Sequence, residues 1–262
     1  MKLLEGEKIA EEILKDLKKR IKGRNLKLVV FLVGEDPASL LFTKAKEKAC
    51  KKIGVGFELL KFPSWVNQAD LEKEIKKTVL KTDIQGVVVQ LPLPADINSQ
   101  EIVDIIPLEK DIDVLSQKAF EKFKTGNSLV IPPVVAAIKR LFEDYKINLS
   151  GKKIVLVGAG KLVGFPISVW LVQKRINFSI IEKSTLNPEV ILKQADIVIS
   201  GVGKAGLIKG EMIKEGAVVV DAGSDVDFKS VSEKASYITP IRGGIGPLTV
   251  ACLLENLLKL NS

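Results

Sequence analysis

The sequence has 262 residues, 46% of them hydrophobic and 5% aromatic, enough for one large or two modest domains with proper cores; two are expected. Its 40 basic and 32 acidic residues give a net charge of +8 spread along the chain, which fits a solvated surface or a field that draws small polyanions; without aromatics interleaved among the cations, nucleic acid has little support. Histidine is absent, which excludes Ser-His-Asp and Cys-His catalysis and the common zinc sites, so no metal is expected and proton transfer falls to Lys, Asp, Glu, Tyr or water.

The amino terminus, "MKLLEGEKIAEEILKDLKKRI", is charged and amphipathic, and the apolar spacing predicts a helix over about 6–22. A strand follows in "LKLVVFLVG", then a helix in "SLLFTKAKEKACKKIG", a strand in "FELLKF", a helix in "QADLEKEIKKTVLKT" and a buried strand in "GVVVQLPLP". Strands separated by helices of about 10 to 15 residues argue for a parallel sheet covered by helices. After "PLEKDIDVL" and a polar stretch ending in "KTGNS", a helix near 133–145 opens a second alternating series. Its strands are "KKIVLVG", "FSIIE", "ADIVISG" and "GAVVVDAG", and a last helix at about 247–260 could return to the first domain. Lysines and acids interrupt every apolar run before the roughly 18 residues a membrane span needs. With only Cys50 and Cys252 there is no disulfide framework, and a cytoplasmic protein is expected.

In "KKIVLVGAGKLVGFP", Gly158 and Gly160 follow a strand and precede a helix, where backbone amides can approach a pyrophosphate at the helix's positive end. Gly164 makes the spacing GxGxxxG, one residue longer than the usual fingerprint, and a plain tight turn would look similar. Glu182 ends the next strand 22 residues after Gly160, where an acid accepts hydrogen bonds from ribose hydroxyls and disfavours a 2'-phosphate. That favours NAD over NADP, with the adjacent Lys183 as a possible phosphate partner pulling the other way. In the helix "SLLFTKAKEKACKKIG", projection places Lys46 among Phe42, Ala45, Ala49 and Ile53. A lysine held against apolar groups has a lowered pKa and suits proton transfer; the alternative is that Lys46 snorkels from the edge of that face.

The stretches "VGEDPASLLFTKAKEKAC", "GVVVQLPLP", "PLEKDID", "ADIVISGVGKAGLIKGEMIKEGAVVVDAG" and "ITPIRGGIGPLTVACLLEN" resemble, in order and spacing, the bifunctional methylenetetrahydrofolate dehydrogenase and methenyltetrahydrofolate cyclohydrolase family. The resemblance implies an α/β protein of two domains, each a mainly parallel sheet with flanking helices, the second Rossmann-like. Residues 1–130 would form a folate-binding catalytic domain joined by the C-terminal helix 247–262, and 131–246 the NAD(P)-binding domain, with a folate cleft between them and a homodimer as the usual assembly. It also implies Lys46 as the catalytic lysine, Gln90 as its partner and Asp113 as the aspartate that holds the pterin. Phe42, Leu91, Pro92, Arg242, Gly243, Gly246 and Thr249 join them as expected folate contacts. Gly158, Ala159, Gly160, Gly164, Glu182, Lys183 and Ser224 form the expected cofactor set.

The sequence departs from the family pattern in two groups of positions. Phe42 replaces a tyrosine, Val114 the glycine after "KDVD", "PPVV" the usual "PCTP" and Arg242 a proline before the double glycine. Around the cofactor, Ala159 replaces the arginine that commonly faces the 2'-phosphate of NADP, Lys183 the later serine and Glu182 its histidine neighbour. The first group bears on folate chemistry, the second on the choice between NAD and NADP. Two rivals follow: an NAD-dependent dehydrogenase without cyclohydrolase activity, and a noncatalytic relative that binds folate or nucleotide.

Overall fold

The chain begins with a two-residue strand, β1 (Lys2–Leu3), and a helix, α1 (Gly6–Arg20), whose buried residues Ile9, Ile13, Leu14 and Leu17 recur at helical spacing. Strand β2 (Lys27–Val33) is buried along nearly its whole length, as a strand covered on both faces must be. Helix α2 (Pro37–Ile53) starts where the Asp36 side chain accepts from the Ser39 amide, with Pro37 at the first position. Strand β3 (Gly56–Phe62), helix α3 (Gln68–Val79) and strand β4 (Gly86–Val89) complete a parallel sheet of order β3-β2-β4, followed by the short helices α4 (Ser99–Val103) and α5 (Gln117–Lys124). Its core includes Val29, Phe31, Leu71, Ile75, Val87, Val89 and Ile102. The strand expected through "GVVVQLPLP" stops at Val89, because Pro92 and Pro94 have no amide to give to a ladder.

Helix α6 (Pro133–Asp144) precedes β5 (Ile154–Val157), α7 (Gly164–Gln173), β6 (Phe178–Ile181), α8 (Pro188–Leu192) and β7 (Ile197–Ser200). Then come β8 (Val218–Asp221), α9 (Phe228–Ser232), β9 (Tyr237–Ile238) and the long helix α10 (Ile245–Leu260). The second sheet is parallel throughout, in the order β1-β9-β8-β7-β5-β6. From β5 the chain winds outward to β6, then returns to the other side of β5 at β7. This reversal opens a crevice at the carboxyl ends of β5 and β7, where doubly wound sheets bind dinucleotides.

The computed structural model describes all residues from 1 to 262, and they cluster in two units. One contains Met1–Ile9 and Val134–Thr249, the other Ala10–Pro133 and Val250–Ser262. The first nine residues thus differ from the expected 1–130 boundary. The Lys2 amide donates to the Ser236 carbonyl at 2.8 Å and the Leu4 amide to the Ile238 carbonyl at 2.9 Å, making β1 an edge strand of the second sheet. No helix is long and apolar enough to cross a membrane.

Candidate active site

Lys46 sits in the middle of α2 on a buried face formed by Ser39, Thr43, Lys46, Ala49, Cys50 and Ile53. The hydroxyl of Thr43 is accommodated because it donates to the Ser39 carbonyl one turn back, at 2.8 Å. That face is rotated from the expected one: Phe42 is 38% exposed and Ala45 only half-buried. The lysine itself is 7% exposed, so it does not snorkel out to solvent.

The Lys46 Nζ donates to Gln90 Oε1 at 2.6 Å. Gln90, at the carboxyl end of β4, is fixed in turn, since its backbone amide donates to the Phe31 carbonyl at 2.9 Å and its Nε2 to the Leu91 carbonyl at 2.9 Å. Leu91 is half-buried and Pro92 exposed, and the peptide bond between them is cis. Burial lowers the Lys46 pKa below its ordinary value, with Asp113 and the Cys50 thiol opposing that shift. The Asp113 carboxyl is pushed up to about 6, chiefly by burial; Lys46 pulls it down and Asp111 pushes it up. An amine and a carboxyl are thereby both drawn toward neutral pH in one electrostatic group.

Asp113 is held by its own turn. Asp111, only 1% exposed, accepts from the Ser116 amide at 2.9 Å and from the Leu115 amide at 3.3 Å. Val114 closes the turn at φ 57 and is buried. A β-branched residue in the left-handed region costs on the order of 1–3 kcal/mol, which explains why glycine suits this position.

In the other unit, Gly158 follows β5 at φ 87 and its amide donates to the Ile181 carbonyl at 2.8 Å. A Cβ at Gly164 would lie 1.9 Å from the Gly158 oxygen, so α7 begins flush against the loop; one at Gly160 would meet nothing within 4 Å, leaving that face open. Helix α7 has no side-chain cap and no acid in its first turn, so its positive end is left for an anion. The loop after β7 packs against the same place: a Cβ at Gly158 would lie 2.8 Å from Val202 and one at Gly201 2.2 Å from Val163. These two loops wall the crevice at the strand-order reversal.

Ala159 is half-buried in the loop, and Glu182 and Lys183 are exposed just beyond β6. Ser224, exposed at φ 61, is on the rim of a hollow of about 580 Å³ lined also by Gly206, Lys209, Asp221, Thr239 and Pro240. Arg242 is exposed, Gly243 has φ 79, and Gly246 and Thr249 are half-buried at the start of α10, where the Thr249 hydroxyl donates to the Ile245 carbonyl at 3.0 Å. These four belong to the second-sheet unit, whereas Phe42, Leu91, Pro92 and the lysine group belong to the other. No cluster of three or more metal-ligating side chains is present. Asp111 and Asp225 are buried carboxylates in the turns around these sites that sequence reasoning passed over; Asp225 had a signal, an acid within a few residues of a strand's carboxyl end in "DAGSD", whereas Asp111 follows no strand and had none.

Residues 4–113 match the family model described as tetrahydrofolate dehydrogenase/cyclohydrolase, catalytic domain, and residues 132–262 match its NAD(P)-binding domain. The bifunctional protein FolD of Hydrogenobaculum sp. (strain Y04AAS1) is 41% identical over 272 residues, covering 99% of this chain and 98% of that protein. The crystal structure of the FolD methylenetetrahydrofolate dehydrogenase/cyclohydrolase of Campylobacter jejuni superposes with a TM-score of 0.91 at 34% identity, covering 99% and 98% of the two chains. The Trypanosoma brucei enzyme complexed with NADP and an inhibitor gives a TM-score of 0.91 at 29% identity over 98% and 96%.

Proposed function

The chain belongs to the tetrahydrofolate dehydrogenase/cyclohydrolase family, and from that premise we propose the parts its own residues play in the two reactions. The protein oxidises 5,10-methylenetetrahydrofolate with a nicotinamide dinucleotide and hydrolyses the methenyl product to 10-formyltetrahydrofolate. The observation that carries the assignment of residues is the 2.6 Å hydrogen bond from buried Lys46 to Gln90, beside Asp113.

Loss of hydride leaves a methenyl cation on the folate. An ammonium fixed beside that cation would repel it, so the lowered Lys46 pKa matters: the amine is more easily neutral, which removes the repulsion and lets it take a proton from attacking water. Gln90 accepts from the amine through Oε1 and so sets the direction of its lone pair. Asp113, which ionises near 6, offers a carboxylate to the pterin's N–H donors and orients the one-carbon bridge. With Phe42 in place of tyrosine there is no phenol to share the proton, so water activation rests on Lys46.

When bound, the dinucleotide supplies the hydride acceptor. The residues present fit it: the open face of Gly160, the close approach of Gly164 and the uncapped start of α7 leave space and positive potential for a pyrophosphate. Glu182 beyond β6 and the absence of a cation at Ala159 favour NAD, with the ribose hydroxyls donating to the Glu182 carboxylate. Half-buried Leu91, exposed Pro92 and the Arg242–Gly243 turn are the proposed folate contacts, and Ser224 a cofactor contact. The same reading places the protein in the cytoplasm as a homodimer. Buried Cys50 and Cys252 outside any disulfide support the first, the family resemblance the second, and light scattering in solution tests the assembly.

Purified protein given methylenetetrahydrofolate and either dinucleotide is expected to develop methenyl absorbance that then decays by hydrolysis. No methenyl absorbance with either dinucleotide, or a decay no faster than that of Lys46→Met, would sink the assignment. For the cofactor, kcat/KM should favour NAD; a preference for NADP of about tenfold, or 1.4 kcal/mol, contradicts the Glu182 argument.

A further inference from the structure

Asp225 lies in the turn after β8, is fully buried, and spends its whole carboxylate on a different loop. Its Oδ2 accepts from the Ser200 hydroxyl at 2.6 Å and the Val202 amide at 2.7 Å, and its Oδ1 accepts from the Lys204 amide at 2.6 Å. The residue is itself anchored on both sides. Its amide donates to Asp221 Oδ1 at 2.9 Å and its carbonyl accepts from the Ile208 amide at 3.1 Å. Asp221 in turn accepts from the Val226 amide at 3.0 Å and donates its own amide to the Thr239 hydroxyl at 2.8 Å. A connected set of hydrogen bonds thus crosses the carboxyl ends of β9, β8 and β7 and finishes on residues 200–204.

Those residues form the crevice wall opposite the glycine loop, with Gly158 packed on Val202 and Gly201 on Val163. In a doubly wound sheet the pyrophosphate sits over the glycine loop and the adenosine half over β6, so the nicotinamide half extends over β7 and β8. The loop that Asp225 grips is therefore the floor of the nicotinamide half. We propose that Asp225 is a positioning residue for the nicotinamide half of the cofactor, holding loop 200–204 at the height the ring and its ribose require. The proposal rests on the dinucleotide reading given above and adds a residue to it. A carboxylate suits this role better than an amide because all three donors need acceptors: an asparagine would turn an NH2 toward at least one of them and leave it unpaired.

The test uses the full chain and two variants, Asp225→Asn and Ser200→Ala, the second keeping the carboxylate and removing one donor. Titration with NADH and NADPH gives the Kd, and hydrolysis of methenyltetrahydrofolate without any dinucleotide reports the integrity of the lysine site. The expected result is a Kd raised about tenfold in Asp225→Asn and about threefold in Ser200→Ala, with hydrolysis within about twofold of the parent. A Kd that stays within about twofold overturns the proposal, as does hydrolysis that falls in parallel with binding, because Asp225 would then be a general structural residue. If Asp225→Asn does not fold, Ser200→Ala decides by the same criteria. A parent protein that binds neither dinucleotide overturns the cofactor reading itself, whereas a binding parent with unchanged variants overturns the role of Asp225 alone.

Discussion

At Lys46 two effects compete, and burial wins: the pull of Asp113 and Cys50 toward the charged form does not offset the lost water. Removing the amine with Lys46→Met should cut hydrolysis by about a thousandfold or more and oxidation far less, while leaving the Kd for NADH within about twofold, since the dinucleotide loop lies elsewhere in the chain. Asp113 supplies a pH test. Its folded pKa of about 6 stands above its ordinary value of 3.8, so the folded state holds the extra proton and stability falls as pH rises between those values. Asp113→Asn, neutral throughout, should be more stable than the parent by about 1–3 kcal/mol at pH 8 and about equal at pH 3.5, read from Tm. The same substitution should remove the acid limb, with its midpoint near 6, from the pH profile of kcat/KM for folate. Phe42 is open to solvent at the edge of this group, and Phe42→Tyr is expected to speed hydrolysis about twofold to tenfold, the range of one added hydrogen bond, and oxidation less.

The glycine loop and α7 separate packing from binding. Gly164→Ala forces a Cβ into the Gly158 oxygen and should cost at least about 2 kcal/mol of stability along with dinucleotide affinity. Gly160→Ala meets no protein atom, so its Tm should hold within about 2 °C while the Kd for NADH rises, because only the ligand would touch the new methyl. Equal effects of the two on Tm would contradict this division. Elements with several turns or a full buried run, such as α2, β2 and α10, were legible from apolar period alone. The two-residue strands β1 and β9 and the five-residue helices α8 and α9 were not, since so few residues carry no period. The buried face of α2 was misjudged by roughly 50°, at about 100° per residue, because Ser39 and Thr43 look solvent-facing; only the back-bond from Thr43 to the Ser39 carbonyl shows how they are accommodated. Lys46, Gln90 and Asp113 were suggested by motif resemblance, whereas Asp225 escaped notice because its partners are 21 to 25 residues away in the chain.

For the molecule as a whole, neither unit is a continuous stretch of chain. Helix α10 starts in one unit and ends in the other, and its buried Asn256 donates to the carbonyls of Ile112 and Ile131, both at 2.9 Å. Asn256→Ala would orphan both carbonyls next to the Asp113 turn, and a loss of about 2–4 kcal/mol together with a raised folate KM is expected; a Tm within about 2 °C of the parent would show that water replaces the amide at little cost. That placement of Asn256 also bears on how the protein is made. A ribosome delivers residues 250–262 only after 134–249 has followed 10–133, so the lysine-bearing unit cannot close its core until α10 has been made. Nascent chains stalled before residue 250 should therefore depend on chaperones and be degraded readily by proteases, and resistance in the lysine-bearing half should appear only once α10 has emerged.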